Sequence, residues 1–559
     1  MRTTLFLGLT GLLCGGLASA EVPQAAAPDL ARLQAMTARF TPADIRADVS
    51  KLPANEREAL VKMIEAAEVM DALFLRQVSA ENEPLLLRLV RDESPLGRAR
   101  LHYFLINKGP WSRLDHDAAF VPGVGSKPEA GNFYAAGTTR EEVDHWMKGL
   151  PEEERRVAAG FFTTIRRGRD GHFVAVPYSL EYQGELARAA ELLRAAATLT
   201  AQPTLKAFLQ KRAEAFITND YYDSDLAWMD LDASIEPTIG PYEVYEDGWF
   251  NFKAGFEAFI TLRDDAETAK LARFSAELQE LEDHLPIDQK YRRPKLGGLS
   301  PIRVVNVVYC SGDGNRGVQT AAYNLPNDER VVAQMGSKRV MLKNMQEAKF
   351  QKALVPIAKI VLPVTDQKSL SFDAFFTHIL MHELMHGLGP QTIHVGGRET
   401  TVRQELKDAN GTLEEAKADI SGLWALQYLM DKGAIAKSQE SAVYVTFLAS
   451  AFRTLRFGTS EAHGKGMAIQ MNSLLDQGAF KVGADGTFTV DFAKVKGAVA
   501  ALTSEIMTVQ ATGDYAKAKE MIERRSGIRP EIQRAIDLLG SVPVDIEPRF
   551  TTAEEILRK

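Results

Sequence analysis

Apolar residues recur every three or four positions from Asp29 to about Ala80, with charges between them, and this spacing predicts helix. Gly109-Pro110 and Pro122-Gly123-Val124-Gly125 interrupt the pattern and mark a loop-rich stretch through Gly137. Helical spacing returns from Thr139 to Arg166, and residues 180 to 219 predict a helical hairpin that turns near Gln202-Pro203. A further helix pair is expected from Ala254 to Leu285. The strand candidates are fewer: His172 to Pro177, Ile302 to Tyr309 and Ile357 to Val364, each rich in β-branched residues. Beyond Phe372 the pattern is helical almost to Leu539, with loops near 390–400 and 481–490. The expected fold class is α+β, mainly α.

A chain of 559 residues is longer than one hydrophobic core supports, since single cores stop growing near ~250–300 residues, so at least two lobes are expected. The first twenty residues stand apart. Arg2 supplies a positive start, Leu5 to Leu17 is almost wholly apolar, and Ala18-Ser19-Ala20 is a small-x-small cleavage site. Residues 1–20 therefore predict a signal peptide and an exported protein, periplasmic or secreted. A lipoprotein anchor at Cys14 is the competing reading, but Leu12-Leu13 lacks the small residues wanted before such a cysteine. No later stretch reaches the ~18 uninterrupted apolar residues of a membrane span.

Loss of Arg2 leaves the mature chain one unit more acidic than the −8 of the whole, which disfavours nucleic acid as a partner. It also leaves Cys310 as the single cysteine, with no internal disulfide to form. Cys310 reads as a buried small hydrophobe at a strand end.

The chemistry is concentrated in Ser371 to Pro390, SFDAFFTHILMHELMHGLGP. Ser371 is an N-cap, and Gly387, Gly389 and Pro390 end the helix. His382 and His386 are four residues apart, so their imidazoles lie on one helix face and can grip one zinc ion. Glu383, next to the first histidine, is placed to act as general base on water. The flanks are strongly apolar (Phe375, Phe376, Ile379, Leu380, Leu384, Leu388), so the helix is buried, and buried polar groups need partners. The third ligand is expected in Thr412 to Leu423, TLEEAKADISGL, where Glu415 has Asp419 one turn ahead on the same face. Glu414 and Asp419 are assigned to a supporting role behind the ligands. Three protein ligands leave a fourth position for water, whose pKa zinc lowers. His378, one turn before His382, is a supporting group or a core histidine.

Gly312-Asp313-Gly314-Asn315-Arg316-Gly317 matches the dinucleotide fingerprint G-x-G-x-x-G, but Val318 to Pro326 does not begin a helix. A turn after a strand is the expected reading.

HELMH followed by LEEAKAD resembles the zinc signature of the dipeptidyl peptidase III family. Residues 239–247 (IGPYEVYED) resemble that family's substrate-cleft strand, and residues 323–328 (YNLPND) its Asn-x-Pro-Asn segment. Gly131-Asn132-Phe133-Tyr134 and Glu461-Ala462-His463 add to the match. The resemblance implies a helical zinc lobe and a mixed lobe with a small β-barrel-like core, facing each other across a cleft. It implies one Zn²⁺ per chain, small peptides as substrates, and removal of dipeptides from a free N-terminus. Glu243 would hold the substrate ammonium, Asn324 and Asn327 its backbone, and Tyr245 and His463 the developing oxyanion. The family's best-known members carry a six-residue zinc motif and are cytosolic, whereas this motif has five residues and the chain an export signal.

The expected division is a mixed lobe over 21–353, with about 264–307 packing against the other lobe, and a helical zinc lobe over 354–559. A zinc hydrolase of another amide or ester is the rival enzyme reading. A zinc-stabilised peptide-binding protein is the non-enzymatic one, but a binder has no need of Glu383.

Overall fold

The computed structural model describes residues 27–296 and 301–558; the signal segment 1–20 and Cys14 lie outside the described residues. No helix among the described residues is long and apolar enough to cross a membrane. The fold is α+β and mainly helical, in two lobes built on two large hydrophobic cores.

The first core surrounds a five-stranded sheet. Its strands lie in the order Thr238–Pro241, Phe256–Arg263, Ile302–Gly312, Lys338–Leu342, Ala322–Leu325. All neighbours are antiparallel except Lys338–Leu342 with Ile302–Gly312, which is parallel. The end strands share no ladder, yet side chains join them. The Thr238 and Tyr323 hydroxyls lie 2.8 Å apart, and Asn327 Nδ2 donates to the Tyr242 carbonyl at 2.9 Å. The barrel-like core expected from the resemblance takes this form: a curled sheet, not a closed barrel. The helices Ala54–Val78, Gln183–Leu199 and Pro203–Thr218 supply much of the same core.

The second core is helical. Phe372–Met385 buries Phe375, Phe376, Leu380, Met381, Leu384 and Met385 in it; Asn410–Lys432 and Glu440–Leu455 pack against that helix, and Ala462–Asp476 and Val495–Thr512 pack in turn against Asn410–Lys432. Leu271 to Leu285 and Ile302 and Val304 also belong to this core, whereas Val305 and Val307 belong to the first. The chain end crosses back: Ile546, Phe550 and Ala553 join the sheet-lobe core, and Asp545–Arg549 pairs in parallel with Phe40–Asp44.

Three local expectations are corrected. Phe256–Arg263 is a strand, not the first half of a helix pair; it is buried on both faces, so it shows no alternation to separate it from a buried helix. Residues 355–361 form a helix where Ile357 to Val364 suggested a strand; a π-helical segment, Phe350–Leu354, precedes it, so Pro356 falls in the first turn of the new α segment, where its missing N–H is tolerated. Phe40–Asp44 is a strand inside a segment read as helical, and its partner lies at the far end of the sequence. The G-x-G-x-x-G segment contains a 3₁₀ turn, Asp313–Asn315, and is followed by the strand Ala322–Leu325, not by an α-helix. A Cβ on Gly314 would come within 2.5 Å of the Phe259 ring, so packing requires that glycine. Cys310 is buried and unpaired.

The chain end is fastened by a buried ion pair. Lys349 Nζ lies 2.8 Å from Asp545 Oδ2, which also accepts the Gln319 amide at 2.6 Å. Replacing Asp545 with Ala strands a buried ammonium. The expected loss is about 3–5 kcal/mol of unfolding free energy, measurable by urea denaturation.

Candidate metal centre

Ser371 Oγ caps the motif helix by accepting the Ala374 amide at 3.3 Å. At the other end Gly389 takes a positive φ of 76° and donates its amide to Glu282 at 2.7 Å. The helix is thereby fixed at both ends, with His382 and His386 on the face toward Asn410–Lys432. That approach is close. A Cβ on Gly422 would meet the His382 amide nitrogen at 3.4 Å, and one on Gly466 would meet the Ala416 amide nitrogen at 3.1 Å.

His382 Nε2 and His386 Nε2 are 3.1 Å apart, and Glu415 Oε2 lies 3.4 Å from the first and 3.9 Å from the second. One ligand atom from each of the three residues falls within 4.8 Å of the others. Each histidine has a carboxylate on its far nitrogen: His382 Nδ1 is 2.7 Å from Asp419 Oδ1, and His386 Nδ1 is 2.8 Å from Glu414 Oε1. An ionised carboxylate only accepts, so each Nδ1 carries the proton. Both Nε2 lone pairs then converge on one point, as ligation requires. Glu415 Oε2 is buried and accepts no hydrogen bond among the described residues. A cation between these three atoms would satisfy all of them, so the residues fit a zinc ion.

The supporting carboxylates are themselves held. Glu414 pairs with the buried Lys417 at 2.8 Å and accepts from Gln510 at 3.0 Å; Asp419 accepts from Gln470 at 3.2 Å. Burial opposes charge on Glu414, but Lys417 and His386 hold its pKa at about 2. Burial likewise opposes charge on His382, yet Asp419 and Glu415 push its pKa up to about 10. His378 contacts the Asp419 carbonyl at 3.0 Å, and burial lowers its pKa, which fits a neutral supporting group.

Around this centre the expected residues divide. His463 Nε2 is 3.2 Å from Glu415 Oε2, and Glu415 raises its pKa. Glu243, Tyr245, Asn324 and Asn327 lie on the sheet lobe, and no hydrogen bond or ion pair among the described residues joins them to the metal ligands. Burial and the charge of Asp313 raise the Glu243 pKa, and its neighbour Tyr245 is well exposed. One residue escaped the sequence reading. Arg339 reaches from the sheet to Glu383, its Nη1 2.6 Å from the backbone carbonyl and 3.2 Å from Oε2. It is also the ladder partner of Asn324. A lone arginine in GSKRVML carries no signal of its own, since its role depends on a helix 44 residues away.

A histidine pair backed by carboxylates, with a glutamate beside it facing the other lobe, is the arrangement of a metallopeptidase. The profile of peptidase family M49 matches residues 170–395. The chain is 63% identical to dipeptidyl-peptidase III from Corallococcus sp. strain EGB, with 95% of this chain and 99% of that one covered and a TM-score of 0.79. It is 46% identical to DPP III from Caldithrix abyssi, covering 94% and 100%, with a TM-score of 0.90. Nudix hydrolase 3 of Arabidopsis thaliana is 42% identical over 94% of this chain and 74% of its own length. The chain belongs to the M49, or dipeptidyl peptidase III, family of metallopeptidases.

Two outcomes follow for metal binding. A metal ion needs the Nε2 lone pair of His382, which carries a proton below a pKa of about 10 in the metal-free centre. Affinity should therefore rise with pH through neutrality, with about one proton released per ion at pH 7. Calorimetry in buffers of different ionisation enthalpy measures that proton. Asp419→Asn should weaken metal affinity by about 10–100-fold, read by titration against a competing chelator.

Proposed function

We propose that this chain removes dipeptides from the free N-terminus of oligopeptides, using a zinc ion held by His382, His386 and Glu415. The observation that carries the reading is the convergence of both Nε2 atoms and the unsatisfied Glu415 oxygen beside Glu383. Bound there, zinc would supply a Lewis acid that polarises the scissile carbonyl and acidifies water.

The chain's own residues do the rest. Glu383 accepts a proton from the attacking water and passes it to the departing amine. His463 and Tyr245 donate hydrogen bonds to the oxygen on which charge develops. Glu243 takes the substrate ammonium, which fits a carboxylate that is partly enclosed and beside further acids. Asn324 and Asn327 hydrogen-bond the peptide backbone, and the distance from Glu243 to the reacting carbonyl sets a two-residue product. Export through residues 1–20 belongs to the same proposal, and its check is a mature chain beginning at Glu21 in the periplasm or the medium.

Mass spectrometry of a short-peptide mixture incubated with the metal-loaded protein tests the activity. Products shortened by two N-terminal residues are expected, and Glu383→Gln should lower the rate by about 10²–10⁴-fold while retaining metal. Acetylating the substrate N-terminus should abolish cleavage; equal rates on free and blocked peptides would remove Glu243 from its role.

A further inference from the structure

A second feature of the helical lobe is not used by this chemistry. A cavity of about 190 Å³ opens beside His382, Glu383 and His463 and runs back to Ser450, Arg453 and Thr454 on the helix Glu440–Leu455. Its volume equals about six waters at ~30 Å³ each, room for an acidic side chain or a chain-terminal carboxylate. The charges in its wall are matched, with one exception. Glu383 has Arg339, and Asp419 has His382 and Gln470. Arg453 makes no hydrogen bond or ion pair within 4 Å among the described residues. The opposite charge that acts on it, Asp545, is already taken by Lys349 and the Gln319 amide. Arg456, on the same helix, spends its guanidinium on the Val542 and Pro543 carbonyls. The cavity wall at Ser450, Arg453 and Thr454 thus presents a surplus of positive charge.

Arg453 is half-buried in the cavity wall, and its guanidinium donors are free of protein acceptors among the described residues, so they stay available to a ligand's oxygens. We propose that Arg453, in the wall of this cavity, forms an anion-accepting subsite that binds a carboxylate of the substrate on the leaving side of the scissile bond. The assignment to that side rests on the proposed function. Glu243, Asn324 and Asn327 take the N-terminal part on the sheet lobe, whereas this cavity is walled by the helical lobe alone, next to His463. Arginine suits the task because its planar fork can grip both carboxylate oxygens. The carboxylate has two sources: an acidic side chain at the third peptide position, or the C-terminus of a tripeptide.

The test uses the full metal-loaded chain and compares kcat/KM for matched peptides. One pair has Glu or Gln as third residue in an amidated pentapeptide; the other is a neutral tripeptide as free acid or amide. At least one acid should be preferred by about tenfold or more, and the preferred pair identifies the source. In Arg453→Met the ratio should fall toward one, and Arg453→Lys should recover part of it. Metal content checks that the variant is folded. Ratios near one in the unaltered chain, or a preference that survives in Arg453→Met, would overturn the subsite. Dipeptides released from neutral amides at equal rates would do so while leaving the peptidase reading intact. If no peptide is cleaved, the same pairs are compared by calorimetric binding, where equal affinity for acid and neutral forms overturns the subsite separately.

Discussion

Two imidazoles one helical turn apart must aim their lone pairs at one point, and everything near the centre serves that constraint. A free imidazole can protonate on either nitrogen. Here Asp419 and Glu414 accept from the outer nitrogens and leave both Nε2 atoms facing inward at 3.1 Å. At that separation a positive charge must lie between them: the proton that His382 carries in the metal-free centre, or a metal ion that displaces it. The supporting carboxylates must stay charged inside the lobe, so Lys417, Gln470 and Gln510 are buried with them. The glycines at 422 and 466 let the three helices approach closely enough for these contacts.

The second constraint is the junction of the lobes. Arg339 stands on the sheet beside Asn324, yet its guanidinium holds the carboxylate and carbonyl of Glu383. The strand expected to align a peptide backbone and the residue expected to move the proton are thus mechanically joined. The chain end adds another tie. It leaves the helical core, pairs with Phe40–Asp44, and is locked by Asp545 against Lys349 and Gln319.

Much of the metal centre was legible in the sequence because its geometry is local. Four residues make one helical turn, so HELMH alone places two imidazoles on one face, and Ser371, Gly387 and Gly389 bound the helix. The mainly helical fold was legible because periodicity records which face is buried, whereas the strand at Ile302, whose burial does not alternate, was legible from its β-branched residues. Where that record failed, burial was complete or pairing was distant. Phe256–Arg263 is buried on both faces and so has no period, and Phe40–Asp44 owes its strand to residues some five hundred positions away.

The sequence by itself determined which side chains could share a metal ion, their spacing along each helix and the acid that stands beside them, because helical geometry converts spacing into direction. It offered Glu414, Glu415 and Asp419 as a set but not their partners. Only the tertiary structure decided that Glu414 serves His386, that Asp419 serves His382 and that Glu415 is left with an unsatisfied oxygen between the two. Only it brought Arg339 to Glu383 and left Arg453 alone in the wall of a cavity. Those pairings depend on how two helices, or two lobes, are rotated against each other, and that rotation is set by packing across the whole core.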